Sequence, residues 1–136
     1  MRFAIVAGLV LAAALANPAA AQRRGAEYPA QTGKEVYETI CQGCHMPDAK
    51  GAVGAGAYPA LAGNKKLAAK AYPALVIVRG QKAMPEFGTG LSDVQVANVV
   101  NYIRTHFGND YKDVVTADEV KPLHPKRAGG EVKPPG

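Results

Sequence analysis

The five residues Cys41-Gln42-Gly43-Cys44-His45 constrain this chain more than any other stretch. They contain both of its cysteines and one of its three histidines. On a helical turn, positions i and i+3 share a face, so two thiols spaced this way address one neighbour. The next residue sets an imidazole beside them. Three chemistries compete for such a group. A zinc site wants four ligands, and the other histidines, His106 and His124, offer no paired spacing. Thiol–disulfide exchange wants a βαβ setting, which the pattern of the chain does not provide. A plain disulfide across two intervening residues would be strained and would leave His45 without a role. The fourth reading depends on where the chain is sent.

Residues 1–21 read as a secretory signal peptide. Arg2 precedes a weakly apolar run over residues 4–16, the length of a signal core and short of the roughly 20 residues of a membrane span. Asn17-Pro18 breaks the run, and Ala19-Ala20-Ala21 offers small residues for cleavage before Gln22. A second A-x-A at Ala14-Leu15-Ala16 is the less favoured cut. The residue directly after the favoured cut is Gln22 and not a cysteine, which argues against a lipid anchor. The formal charge is +5, and losing Arg2 lowers it by one. A balance this mild, with no basic run interleaved with aromatics, argues against nucleic-acid binding. In an exported chain, C-x-x-C-H reads as the attachment site of one covalent c-type haem. Cys41 and Cys44 would each bond one vinyl group of the porphyrin, and His45 would reach the iron through a neutral ring nitrogen.

The rest of the chain divides in three. Residues 22–31 form a short basic leader, and residues 32–108 carry the helical patterns and nearly all the large apolar side chains. Residues 109–136 form a charged tail rich in Pro and Gly, expected to bury little and to be partly disordered apart from a short turn at residues 116–120. Four helical segments are predicted. Thr32 and Glu35 make a capping box for a helix over residues 33–41, with Val36, Tyr37 and Ile40 as its apolar positions. A second helix spans residues 64–71, and a third runs over residues 73–79 with Pro73 at its first position. In the last, Ser92 and Gln95 make the box, Val96, Val99, Val100, Ile103 and Phe107 form the stripe, and Gly108 is the stop. No internal repeat and no period-2 strand pattern is present, so the fold class is all-α.

Haem iron in an electron carrier takes a second axial ligand, and a thioether is the usual partner of histidine. Met1 leaves with the signal, and Met46, next to His45, is tied to the same side of the ring. Met84 remains, in a loop-like stretch over residues 82–88 where Pro85 stiffens the backbone. A methionine alone would read as core filler. His106 competes for the role, but its spacing from Tyr102 puts it at the rim of the packed helix face.

The motif at residues 41–45, the downstream Met84-Pro85 and the terminal amphipathic helix resemble class I cytochrome c, in particular its small bacterial periplasmic members. The resemblance covers residues 32–108. It implies a class I fold of short helices packed around one covalent haem, with Gly33 and Tyr37 packing against Tyr102 of the last helix. Pro59-Ala60-Leu61-Ala62-Gly63 matches the family's P-x-L-x-G, which makes the Pro59 carbonyl the hydrogen-bond acceptor of His45. Such a partner fixes the imidazole and strengthens it as a donor to iron. Gly88-Thr89-Gly90-Leu91-Ser92-Asp93, leading into Tyr102-Ile103-Arg104, is similar to cytochrome subunits that serve periplasmic dehydrogenases. The implied function is one-electron transfer in the periplasm, from a dehydrogenase to another cytochrome or a terminal oxidase, without catalysis by this chain.

A peroxidase-like haem enzyme or a gas-binding sensor would instead need a vacant or easily displaced sixth position, against which Met84 stands. Lys65, Lys66, Lys70, Arg79 and Lys82 are expected either to rim the haem edge as a docking face or simply to face water. Gly51, Gly54 and Gly56 read as a loop at that edge and not as a phosphate cradle, because no strand precedes and no helix directly follows. A core this low in aromatics needs a staple, and a bonded porphyrin would supply one.

Overall fold

The computed structural model describes residues 28–54 and 56–125. The expected signal peptide, most of the basic leader and residues 126–136 of the tail lie outside them. Among the described residues no helix is long and apolar enough to cross a membrane.

The first helical rod begins where its capping box places it. Thr32 Oγ1 accepts from the Glu35 amide, and the Glu35 carboxylate accepts from the Thr32 amide, so two orphan donors are satisfied reciprocally. Helix α1 (Gly33–Val36) passes into a π-helical segment (Tyr37–Cys41) and then α2 (Gln42–His45). The rod therefore runs to His45, beyond the expected end at Cys41, and the motif lies on its last turns. A two-stranded hairpin follows, β1 (Ala52–Val53) against β2 (Ala57–Tyr58), with Ala52 opposite Tyr58. These strands correct the expectation of none: at two residues each, they are too short to print an alternating pattern.

The segment expected as a helix over residues 64–71 is only a 3-10 turn (Lys65–Ala68), capped by Asn64 accepting from the Lys66 amide. Helix α3 (Ala71–Arg79) starts two residues before Pro73, which stands within the first turn, where the missing N–H costs nothing. Helix α4 (Asp93–Thr105) has the Ser92–Gln95 capping box and buries Val96, Val99, Val100 and Ile103. It stops before the expected Gly108. His106 is its C-cap, and Phe107 and Gly108 both adopt left-handed backbone, φ +57° and +79°.

The crossing of α1 and α4 holds the fold together. A Cβ on Gly33 would sit 2.1 Å from the Asn98 carbonyl oxygen, so only glycine lets the two backbones approach this closely. Tyr37 then packs between Tyr102 and Phe107, ring centroids 5.8 and 4.9 Å away. The Gln95 side chain, fully buried, donates to the Tyr28 and Ala30 carbonyls at 2.7 and 2.6 Å. Asn98 holds Gln31 in the same way, so residues 28–31 belong to the packed body and not to a leader.

Residues 109–125 also depart from expectation. Val115 and Val120 are buried in the core, and helix α5 (Ala117–Val120), capped by Thr116 and Glu119, leads into a 3-10 turn (Lys121–Leu123). Asn101 of α4 clamps Val115 through two bonds, donating to its carbonyl at 2.9 Å and accepting from its amide at 2.8 Å. Arg104, fully buried, donates to the Leu67 carbonyl at 2.8 Å and to the Asp113 carboxylate at 2.5 Å. At the far end His124 Nε2 meets the Asp93 carboxylate at 2.8 Å. This stretch is a strap that runs back along α4 from its C-terminus to its first residue.

Candidate functional site

Cys41 closes the π-helical segment, while Cys44 and His45 stand on α2. Both cysteines are free thiols, Cys41 half-buried against the apolar core and Cys44 exposed. Burial, with a smaller contribution from Cys44, pushes the Cys41 thiol up to about 12. A redox pair of cysteines works the other way, through a thiol pKa lowered toward neutrality. Among the described residues no three His, Cys, Asp or Glu side chains converge as a metal cluster would require. Neither feature lends support to thiol exchange or to zinc.

His45 is 8% exposed, and its Nδ1 lies 2.9 Å from the Pro59 carbonyl oxygen. A carbonyl can only accept, so Nδ1 carries the proton and donates it. In the neutral ring this leaves the lone pair on Nε2, which has no hydrogen-bond partner among the described residues and is not sealed in the interior. The backbone around this contact is tightly built. Tyr37 donates its hydroxyl to the Met46 carbonyl at 2.7 Å, pinning the residue after His45, and burial pushes its phenol up to about 12. The Leu61 and Ala62 amides both donate to the Ala49 carbonyl, at 2.8 and 2.9 Å. Gly51, with φ +69°, lies so close to the Pro59 segment that a Cβ would be 2.0 Å from the Tyr58 carbonyl oxygen. Pro59 is thus brought to His45 by the loop at residues 46–51.

Met84 ends a tight turn after α3. The Gln81 and Met84 amides each donate to the other's carbonyl at 3.0 Å, and Lys82 between them takes a left-handed conformation, φ +54°. Gly80, φ +71°, lets the returning chain pass: a Cβ there would be 2.8 Å from the Met84 carbonyl oxygen. The Phe87 and Gly88 amides then donate to the Ile77 and Val78 carbonyls of α3. The Met84 side chain is half-buried and packs on the same core as Ile40, Cys41, Leu61 and Phe87. His45 and Met84 therefore belong to different elements, α2 and the loop between α3 and α4. His106 is exposed at the α1–α4 crossing, its ring stacked on Tyr102 at 4.1 Å and its Nδ1 2.9 Å from the Tyr102 carbonyl.

The basic residues do not form one free face. Lys70 Nζ pairs with the Glu119 carboxylate at 2.7 Å, and Arg79 Nε donates to the Leu123 carbonyl at 2.6 Å, so both are engaged by the strap. Lys65, Lys66 and Lys82 are exposed. Sequence reasoning missed the supporting parts: the Tyr37 hydroxyl and the close approaches at Gly51 and Gly80. The only signal for the last two was a glycine a few residues from a candidate site residue.

The family model described as "Cytochrome C oxidase, cbb3-type, subunit III" matches residues 29–103. The chain is 35% identical over 117 residues to a fructose dehydrogenase cytochrome subunit of Gluconobacter japonicus, covering 75% of this chain and 23% of that protein. It is 36% identical over 105 residues to a gluconate 2-dehydrogenase cytochrome c subunit of Pantoea cypripedii, covering 68% and 24%. To the cytochrome c subunit of a quinone alcohol dehydrogenase of Gluconacetobacter polyoxogenes it is 35% identical over 104 residues, covering 67% and 22%. The chain thus spans less than a quarter of the length of these curated relatives.

Proposed function

The chain belongs to this family of cytochrome c domains, which carry electrons on haem, and from that premise we propose that it is a periplasmic one-electron carrier with a single covalent haem held by His45 and Met84. The observation that carries the reading is the His45–Pro59 contact: it orients the imidazole, fixes the proton on Nδ1 and leaves Nε2 as a donor beside two free thiols. Cys41 and Cys44 would attach the porphyrin through thioether bonds. Bound there, haem iron would take up and release one electron at a time.

Everything else is the work of the chain's own residues. The Pro59 carbonyl strengthens the imidazole as a donor and holds its plane. Ile40, Leu61, Met84 and Phe87, half-exposed and packed on the core, are the apolar surfaces a porphyrin would cover. A thioether from Met84 would raise the potential relative to a second imidazole. Both ligands stand on backbone pinned by hydrogen bonds, so little would need to move when the charge changes. The three relatives are named as cytochrome subunits of dehydrogenases, which supports a dehydrogenase as electron donor. In this proposal a cytochrome or terminal oxidase is the acceptor, and this chain performs no catalysis itself.

The mass of the exported protein tests attachment. It should exceed that of the processed polypeptide by one haem, and Cys41→Ala/Cys44→Ala should abolish the increment. The ferric protein should also show a weak near-infrared sulfur-to-iron charge-transfer band that Met84→Ala removes. A protein lacking the increment overturns the haem reading, and a band that survives Met84→Ala overturns the ligand assignment.

A further inference from the structure

The C-terminal strap grips both ends of the loop that carries Met84. At the entry, Arg79, the last residue of α3, donates from Nε to the Leu123 carbonyl at 2.6 Å. At the exit, His124 Nε2 meets the Asp93 carboxylate at 2.8 Å, where α4 begins. Between these two points the His124 ring lies against the returning chain: a Cβ on Gly88 would be 3.2 Å from its Cε1. Gly88 is the residue whose amide ties the return to Val78. The strap is itself fixed to the body by fully buried Val120, the Asn101–Val115 clamp and the Lys70–Glu119 pair. Residues 80–92 are therefore closed at their base by a segment outside the shared family match, which ends at residue 103.

We propose that His124 and Arg79 are positioning residues for Met84: by clamping the base of its loop through the strap, they hold the thioether in place against displacement. The proposal rests on the reading of Met84 as an iron ligand and extends it to residues that touch neither iron nor porphyrin. The physical cause is entropic. A loop whose two ends are fixed loses the open conformations in which its tip would swing away, so a competing ligand must overcome a deeper well.

The test uses the full, haem-loaded chain as wild type, His124→Ala, His124→Gln and Met84→Ala. Imidazole is titrated against the near-infrared charge-transfer band, and amide hydrogen exchange is followed in parallel. Loss of the partly exposed His124 bond should lower the half-displacing imidazole concentration about tenfold. Glutamine, which can still donate to Asp93, should restore most of it. Exchange should quicken at residues 87–90 and not in the middle of α4. A wild-type band with displacement unchanged in His124→Ala overturns the strap proposal and leaves Met84 as ligand. Uniformly faster exchange throughout α3 and α4 overturns it too, since His124 would then serve general stability. No band in the wild type removes the ligand assignment, and the proposal falls with it.

Discussion

The motif segment and the strap are both fixed by hydrogen bonds to backbone carbonyls, yet they differ in what their sequences disclose. At residues 41–45 the chemistry dictates residue identity: two thiols and an imidazole at one spacing leave few alternatives. Along residues 109–124 most of the anchoring donors, Asn101, Arg104, Lys70 and Arg79, belong to other elements, with Asn109 and His124 the strap's own, and several of the acceptors are main-chain carbonyls that any residue possesses. A segment held largely by its neighbours' side chains discloses little of that packing in its own sequence. Polar, proline-bearing composition therefore describes such a strap as readily as a loose tail.

The sharpest way to break this comparison is at His45. His45→Ala should abolish haem loading, read as loss of the haem increment in the mass of the exported protein, because no other residue of the motif can take its place. Full loading would show that the two thiols suffice. Next in size is Arg104→Met, expected to cost about 3 kcal/mol by leaving the Leu67 carbonyl unpaired and the strap unanchored. Urea unfolding would measure it, and a change below about 0.5 kcal/mol would mean that the strap adds nothing to the body.

Gly51→Ala should cost about 2 kcal/mol through positive φ and collision with Tyr58, reading out in a thermal melt, whereas Gly43→Ala, with nothing within 4 Å, should be near neutral. Equal effects at the two glycines would refute the cradle around Pro59. The smallest effect concerns pH. Arg104 beside Asp113 holds its carboxyl below the usual range, so the native state keeps the carboxylate ionised in acid longer than the unfolded chain. That stabilisation is present above the ordinary Asp range and is lost as pH falls through the lowered native value. Asp113→Asn should flatten the acid-side decline in melting temperature, and an unchanged acid limb would show that the pair is idle.

Legibility in the sequence followed the same division. Both capping boxes found by their spacing are formed, at Thr32 and Ser92, and the short turn expected at residues 116–120 starts at a third, Thr116, which the spacing had not been read for. The apolar stripe of α4 is buried through Ile103. The tight approach of Gly33 to α4 and the Tyr37–Tyr102 packing were implied by resemblance alone, since nothing local demands them. Element ends were less legible. The first rod overran its expected stop because its end is decided by the left-handed Met46 (φ +66°) and the loop held by Tyr37, not by a breaker residue. The segment over residues 64–71 shortened because Ala69, extended at ψ 91°, ends the turn, while its start is set by Asn64, whose amide donates to Asn109 Oδ1. That partner lies far along the chain. The shortfall of the basic face has the same origin, as Lys70 and Arg79 are taken up by a strap whose packing no periodicity announced.

The π-helical stretch between α1 and α2 sets a phase. At Gln42 the amide donates to the Tyr37 carbonyl, a five-residue step, so one more residue is wound into the turn than an α-helix would hold. Wound instead as a regular α-helix, the same residues would carry everything downstream around by about 100°. Tyr37 faces the α4 crossing upstream of that offset, and Cys41, Cys44 and His45 follow it. Deleting one of residues 38–40 would convert the Gln42-to-Tyr37 bond into an ordinary α-helical one and leave the attachment face where it is. Rewinding the same residues as regular α-helix would instead keep every motif spacing yet turn that face about a quarter of the way around the rod. Transplanting the five-residue motif onto a regular helix would meet the same obstacle, because its aim is encoded in the winding that precedes it.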